Sequence, residues 1–111
     1  MSTGTLVDGT LARIIARLAE AVEPEKLILF GSRAAGTAGR SHDYDLLIIG
    51  EAREPLHRRL RRARQALWGV GAPVDLLWYT PEEVDAWADI PTHVVSQAIR
   101  RGRVVYEKGQ G

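Results

Sequence analysis

Three short apolar runs constrain the fold of this chain more than any other feature of its sequence. They cover residues 27–30, 46–49 and 74–79, and the first two are apolar at every position. Side chains alternate between the two faces of an extended strand, so a run that is apolar on both faces belongs in the interior of a sheet. The third run is interrupted by one acid, Asp75, which is expected to be buried and therefore to need a partner. The chain is therefore expected to form a small sheet with a buried centre, with strands predicted over residues 26–30, 43–49 and 74–79.

Segments with helical spacing separate these runs, because their apolar residues recur every three or four positions. The predicted helices cover residues 8–22, 55–68, 80–90 and 92–101. Asp8 is the predicted N-cap of the first, and Thr80 with Glu83 predicts a capping box at the start of the third. A last short strand is predicted over 104–106. This order predicts an α/β (α+β) fold with helices packed against a small sheet. A length of 111 residues suits a single domain, 1–111.

The composition narrows the possible chemistry. The chain has no cysteine, which excludes disulfides and thiolate-bound metals. Its N-terminus lacks a basic segment followed by an apolar one, and no apolar run is long enough to cross a membrane. We therefore expect a cytoplasmic protein without a membrane partner. The formal net charge of +1 does not by itself indicate nucleic acid.

Two aspartates stand at the start of the second apolar run. Asp43 and Asp45 would point to the same face of a strand, whereas Tyr44 would point to the opposite face. Neighbouring carboxylates resist joint ionisation unless a cation lies between them. Mg²⁺ accepts one or two carboxylates together with substrate phosphates. We therefore predict that Asp43 and Asp45 bind a divalent metal; the alternative is that they are exposed acids at a strand end.

A glycine–serine turn follows the first apolar run. Gly31 lets the backbone turn and approach a ligand closely, and Ser32 stands where a short helix is predicted to begin. Backbone amides at the start of a helix bind phosphate, although a plain turn has the same sequence. Arg33 and Arg40 flank the turn, where they either contact phosphates or are ordinary surface residues.

The spacing of these residues is similar to a known signature. Gly31-Ser32, ten further residues and then Asp43-Tyr44-Asp45 resemble the motif of the nucleotidyltransferase superfamily, which includes the DNA polymerase beta palm and the kanamycin nucleotidyltransferases. The short chain looks most like the minimal branch, the MNT proteins, which act as antitoxins beside HEPN-domain toxins. The resemblance covers most of the chain.

The resemblance implies a mixed sheet and a catalytic site. Asp75 matches the position of the superfamily's third carboxylate, on a later strand, and a salt bridge to an arginine is the alternative role for it. Asp43, Asp45 and Asp75 would then bind two Mg²⁺ ions, with ATP as the substrate. Gly31, Ser32 and Arg33 would bind the nucleotide.

The acceptor is also implied by the resemblance. Minimal members transfer AMP from ATP to a tyrosine of the partner HEPN toxin, so a hetero-oligomer with such a toxin is expected. The toxin's own ribonuclease motif, Arg followed by His-x-Tyr, is not seen here. The alternative is an antitoxin that neutralises its partner by contact without catalysis. Transfer to a small molecule such as an aminoglycoside is disfavoured because the chain has no second domain to hold it.

A basic cluster occupies the polar face of the predicted helix over 55–68. Its members are Arg58, Arg59, Arg61, Arg62 and Arg64, with Arg53 just upstream. We expect them to form either a solvated face or a docking surface for an acidic protein or RNA. No aromatic residue alternates with these arginines, so a stacking platform for single-stranded nucleic acid is not indicated. The three tryptophans, Trp68, Trp78 and Trp87, are candidate core residues, and Trp87 is also a candidate interface residue.

Overall fold

The computed structural model of the chain describes residues 8–34 and 43–109. Over these residues, helices and strands alternate in an α+β architecture, as predicted. In chain order the elements are α1 (Gly9–Val22), β1 (Lys26–Phe30), α2 (Gly31–Ala34), β2 (Tyr44–Ile49), α3 (Leu56–Ala66), β3 (Val74–Tyr79), α4 (Pro81–Trp87), α5 (Val94–Arg101) and β4 (Arg103–Glu107). None of the helices in the described part of the chain is long and apolar enough to span a membrane.

The four strands form one mixed sheet in the order β3-β2-β1-β4. Strand β1 runs antiparallel to both β2 and β4, whereas β2 and β3 are parallel. Two parallel neighbours need a crossover connection, and α3 provides it between β2 and β3. The buried runs therefore lie where the sequence predicts them, with β1 and β2 in the centre of the sheet.

The first face of the sheet is covered by α1 and α3, and we call it the α1/α3 face. Helix α1 is amphipathic, and its buried side chains are Leu11, Ile14, Leu18 and Val22. They pack against alternate residues of the strands, including Leu29, Ile48 and Trp78, each fully buried. Trp78 also donates its indole N–H to the carbonyl oxygen of Gly50 at 3.0 Å. The largest core cluster of the described residues lies here.

The second face is covered by α5 and by part of α4, and we call it the α5 face. Its smaller cluster contains Ile28, Leu47, Ile49 and Ala98. Helix α4 begins with the predicted capping box, in which the Thr80 hydroxyl accepts from the Glu83 amide and the Glu83 carboxylate accepts from the Thr80 amide. Because side chains alternate along each strand, the predicted acidic residues fall on this second face.

Arg59 departs from the prediction that the arginines of α3 together form one solvated face or docking surface. Its side chain is buried and donates to the Glu83 carboxylate at 2.7 Å and to the carbonyl oxygen of Glu54 at 2.8 Å. The hydrogen bonds that Arg59 donates to Glu83 are the main reason that the pKa of Glu83 lies below its usual value. Arg59 therefore joins α3 to the start of α4, a contact that helical spacing alone could not reveal.

Trp68 corrects the prediction that the tryptophans are core residues. Helix α3 ends at Ala66, two residues short of the predicted end, and Trp68 falls in the following turn with 86% of its surface exposed. Trp78 is in the core as predicted. Trp87 is 42% exposed and its ring stacks on His93, with the ring centroids 4.4 Å apart.

Candidate active site

The sheet brings two of the predicted acids side by side. Asp45 on β2 and Asp75 on β3 are direct partners in the parallel register, and Phe30 of β1 is the partner of Asp45 on its other side. All three positions lie on the α5 face. Asp43 immediately precedes β2 and is two residues from Asp45, which places it on the same side. Asp75 is exposed, whereas the sequence predicted it to be buried. Asp45 is half-buried.

The electrostatics of Asp45 follow from this arrangement. Burial raises the pKa of Asp45 above its ordinary value, and the charge of Asp75, a hydrogen bond with Asp75 and the charge of Asp43 raise it further. Facing carboxylates repel each other when both are ionised, and a cation between them relieves this repulsion. The ion pairs within the described part of the chain include neither Asp45 nor Asp75.

Gly31 follows the last residue of β1 and lies against the Asp45 side chain. Its φ is +76°, in the left-handed region that favours glycine. A Cβ built at this position would collide with Oδ2 of Asp45. Gly31 therefore serves two purposes, since it turns the chain into α2 and leaves room for the Asp45 carboxylate. The sequence predicted the turn, but it did not predict this contact.

A contact on the opposite face fixes the start of β2. Tyr44 is buried, and its hydroxyl donates to the Asp8 carboxylate, at 2.9 Å to Oδ2. Asp8 also caps α1, because its Oδ1 accepts from the amide of Leu11 at 2.7 Å. Helix α1 is thereby tied to the residue between Asp43 and Asp45. The sequence identified Asp8 as a cap and the opposite direction of Tyr44, but not the bond between them.

The remaining predicted site residues are described only in part. Ser32 and Arg33 belong to the single turn of α2, which follows Gly31 directly, but their side chains lie outside what the structure describes. Arg40 lies outside the described residues altogether.

The carboxylates of the site can be compared with the ligands that a divalent metal ion requires. Within residues 8–34 and 43–109, no three acidic or histidine side chains form a ready-made metal-binding group. Asp45 and Asp75 nevertheless supply adjacent carboxylates whose mutual repulsion a cation would relieve. Mg²⁺ commonly takes only one or two protein carboxylates and completes its shell with phosphate oxygens and water. The donor set thus fits a metal that enters with a nucleotide.

Comparisons with known proteins agree with this fold. The nucleotidyltransferase domain family matches residues 11–105. A crystal structure from Sulfolobus solfataricus, of a protein whose assignment as a nucleotidyltransferase is itself provisional, has the same fold at 20% sequence identity, with a TM-score of 0.56 over 94% of this chain and 92% of that chain. No curated protein sequence matches the chain significantly. Because the family match spans most of its length and includes every acid of the site, the chain belongs to the nucleotidyltransferase domain family.

Proposed function

We propose that the protein transfers AMP from ATP to a hydroxyl group of another protein, with a tyrosine of a HEPN-domain toxin as the acceptor. Membership of the family supports nucleotide transfer in general. The observation that carries the proposal further is the register pairing of Asp45 with Asp75, which supports a site with two carboxylates side by side on one face of the sheet.

The reaction forms a bond between the acceptor oxygen and the α-phosphorus and breaks the bond from that phosphorus to the pyrophosphate. When bound, two Mg²⁺ ions would lower the pKa of the acceptor hydroxyl and neutralise the charge of the leaving pyrophosphate. In this proposal Asp43, Asp45 and Asp75 hold these ions. Asp75, the most exposed of the facing pair, also accepts the proton of the acceptor hydroxyl.

The turn after β1 has the complementary task of binding the triphosphate. Gly31 leaves the backbone open beside Asp45, so the phosphates can approach the carboxylates closely. In this proposal Gly31 and Ser32 hold the β- and γ-phosphates through backbone amides and the serine hydroxyl, and Arg33 contributes charge.

A macromolecular acceptor is supported by the openness of the site. Asp75 is exposed, and Asp43 at the start of β2 is exposed as well. Such a site lets a side chain of a second protein reach the carboxylates. Antitoxin activity, a hetero-oligomer with the toxin and a cytoplasmic location follow from the same proposal.

The experiment is a transfer assay with ATP labelled at the α-phosphate, Mg²⁺ and a purified HEPN-domain partner. We expect label on the partner with the wild-type protein and none with Asp45→Asn, which removes a charge without changing the side-chain volume. Asp85→Asn, an exposed acid on α4, is the matched control and should leave transfer unchanged. Substituting the labelled tyrosine of the partner by phenylalanine should also abolish labelling.

Three outcomes would contradict parts of the proposal. Full labelling by Asp45→Asn would contradict the role of the acids. Labelling of a small molecule or RNA, but not of the partner, would contradict the acceptor. Neutralisation of the partner without any labelling would instead support a non-catalytic antitoxin that acts by contact.

A further inference from the structure

The outward side of α3 and the turn after it form a second surface, which we call the Trp68 surface. It consists of His57, Arg58, Arg61, Arg64, Gln65 and Trp68, all of them exposed. Positions 57, 61 and 65 are four residues apart and position 64 is three from 61, so these four share one side of the helix, and Trp68 follows in the turn. They line a hollow of about 390 Å³ that is open to solvent.

The charge of this surface is not neutralised locally. No Asp or Glu occurs between Glu54 and Asp75 in the sequence. Two arginines of α3 are used in ion pairs, since Arg59 binds Glu83 and Arg62 binds Glu54 at 3.3 Å. The ion pairs of residues 8–34 and 43–109 include none of the other three arginines, Arg58, Arg61 and Arg64.

Trp68 provides an open aromatic ring beside these cations. It is 86% exposed, the most exposed of the large apolar residues in the described part of the chain. Its backbone is nevertheless held, because its carbonyl oxygen accepts a hydrogen bond of 2.5 Å from Arg17 of α1. The ring is therefore presented to solvent at a fixed point, next to Arg61, Arg64 and His57.

We propose that the Trp68 surface binds single-stranded nucleic acid. The arginines would contact successive phosphates, and the indole would stack on a base, which is how proteins bind single strands without reading their sequence. A protein partner is less well matched, because the centre of a protein interface is depleted of charge and here the one large apolar group is surrounded by cations. The sequence did not indicate this surface, since Trp68 meets the arginines only through the turn after α3.

This surface is separate from the proposed active site. Helix α3 packs on the α1/α3 face through Ala63, whereas Asp45 and Asp75 lie on the α5 face. The sheet lies between them. Binding of a nucleic acid at the Trp68 surface therefore does not depend on the proposed transfer reaction, and the two can be tested independently.

The test is fluorescence anisotropy with a fluorescein-labelled oligouridine of about 12 nucleotides. We expect binding at about 50 mM salt that weakens steeply as salt is added, because each phosphate contact contributes about 0.7 to the slope of log K against log salt. In Arg61→Gln/Arg64→Gln that slope should fall by about 1.4. Trp68→Ala should weaken binding about tenfold to a hundredfold without changing the slope.

The matched control is Arg100→Gln/Arg101→Gln, which removes the same charge from exposed positions on α5 and should retain wild-type affinity. Melting curves should confirm that every variant is folded. Labelled oligothymidine and labelled polyglutamate are measured separately as alternative ligands. Comparable binding of oligouridine and oligothymidine supports the proposal. Equal loss of affinity in the control variant, no binding of either oligonucleotide, or tighter binding of polyglutamate would overturn it.

Discussion

The contact between Asp45 and Asp75 leads to a prediction that runs against the usual effect of a mutation. Without metal, Asp45→Asn should stabilise the protein, because it removes a charge that faces another charge. Neighbouring strands are about 4.8 Å apart, so the two carboxylates are about 5 Å from each other. At that separation the repulsion is about 0.8 kcal/mol in water and about 3 kcal/mol at an effective dielectric constant of about 20.

Because Asp75 is exposed, the expected gain in the free energy of unfolding is near the lower figure, at about 1 kcal/mol. For a chain of this length the unfolding entropy is roughly 0.23 kcal/mol per kelvin, so the melting temperature should rise by about 4 °C. Thermal unfolding followed by circular dichroism at neutral pH in the presence of a chelator measures this shift. Asp85→Asn on α4 is the control and should change the melting temperature little.

The pH dependence gives an independent check with a defined sign. The pKa of Asp45 is raised in the folded state, so the folded protein binds the proton more tightly than the unfolded chain does. This stabilisation is fully present below the ordinary aspartate pKa and is lost as the pH rises through the raised pKa. The advantage of Asp45→Asn over the wild type should therefore be absent in acid and should appear as the pH approaches neutrality.

Addition of Mg²⁺ with ATP should reverse the order of stability at neutral pH. The wild type should gain stability by binding the ligands, whereas Asp45→Asn should gain less because it has lost a carboxylate. If Asp45→Asn is not more stable than the wild type and the control Asp85→Asn at neutral pH without metal, the repulsion on which this reasoning depends is refuted.

Three further predictions concern other parts of the fold. Gly31→Ala should cost about 1–3 kcal/mol of stability and lower transfer strongly, because φ is +76° and the new methyl group meets the Asp45 carboxylate; melting curves and the transfer assay measure both effects. Arg59→Ala should cost about 1.5–3 kcal/mol, because it removes charge-assisted hydrogen bonds to the partly exposed Glu83, and Glu83→Gln should cost less, by urea denaturation. Because the pKa of Glu83 is lowered, its contribution is present above the ordinary glutamate pKa and is lost as the pH falls through the lowered value, and Arg59→Ala should remove this dependence. Trp78→Phe should cost about 2–4 kcal/mol by leaving the Gly50 carbonyl unpaired, whereas Trp68→Phe should change stability by less than about 0.5 kcal/mol, and an equal cost for the two would contradict their assigned burial.

Much of the fold was predictable because local rules govern it. The apolar runs gave β1 and β3 with their observed bounds, and β2 begins one residue later than predicted. The cap at Asp8 and the capping box at Thr80 are also as predicted, since each depends on residues within a few positions of the helix start. Period-two alternation likewise assigned Asp43 and Asp45 to one face, whereas Asp75 was added to the candidate site through the resemblance to the nucleotidyltransferase superfamily.

Other features depended on contacts between distant segments. Helical spacing could not distinguish buried Arg59 from its exposed neighbours, because the difference comes from Glu83, which is 24 positions away. The end of α3 decided that Trp68 is exposed, and the packing of α1 decided which group holds its carbonyl.

The sequence by itself determined which segments are strands and which are helices, and which acids share a face, because these properties follow from side-chain periodicity along the chain. Only the tertiary structure decided that Asp75 lies beside Asp45, that Gly31 has no room for a side chain and that Trp68 joins the arginines of α3. Each of these depends on strand register or helix packing, in which the chain meets residues that are remote in sequence.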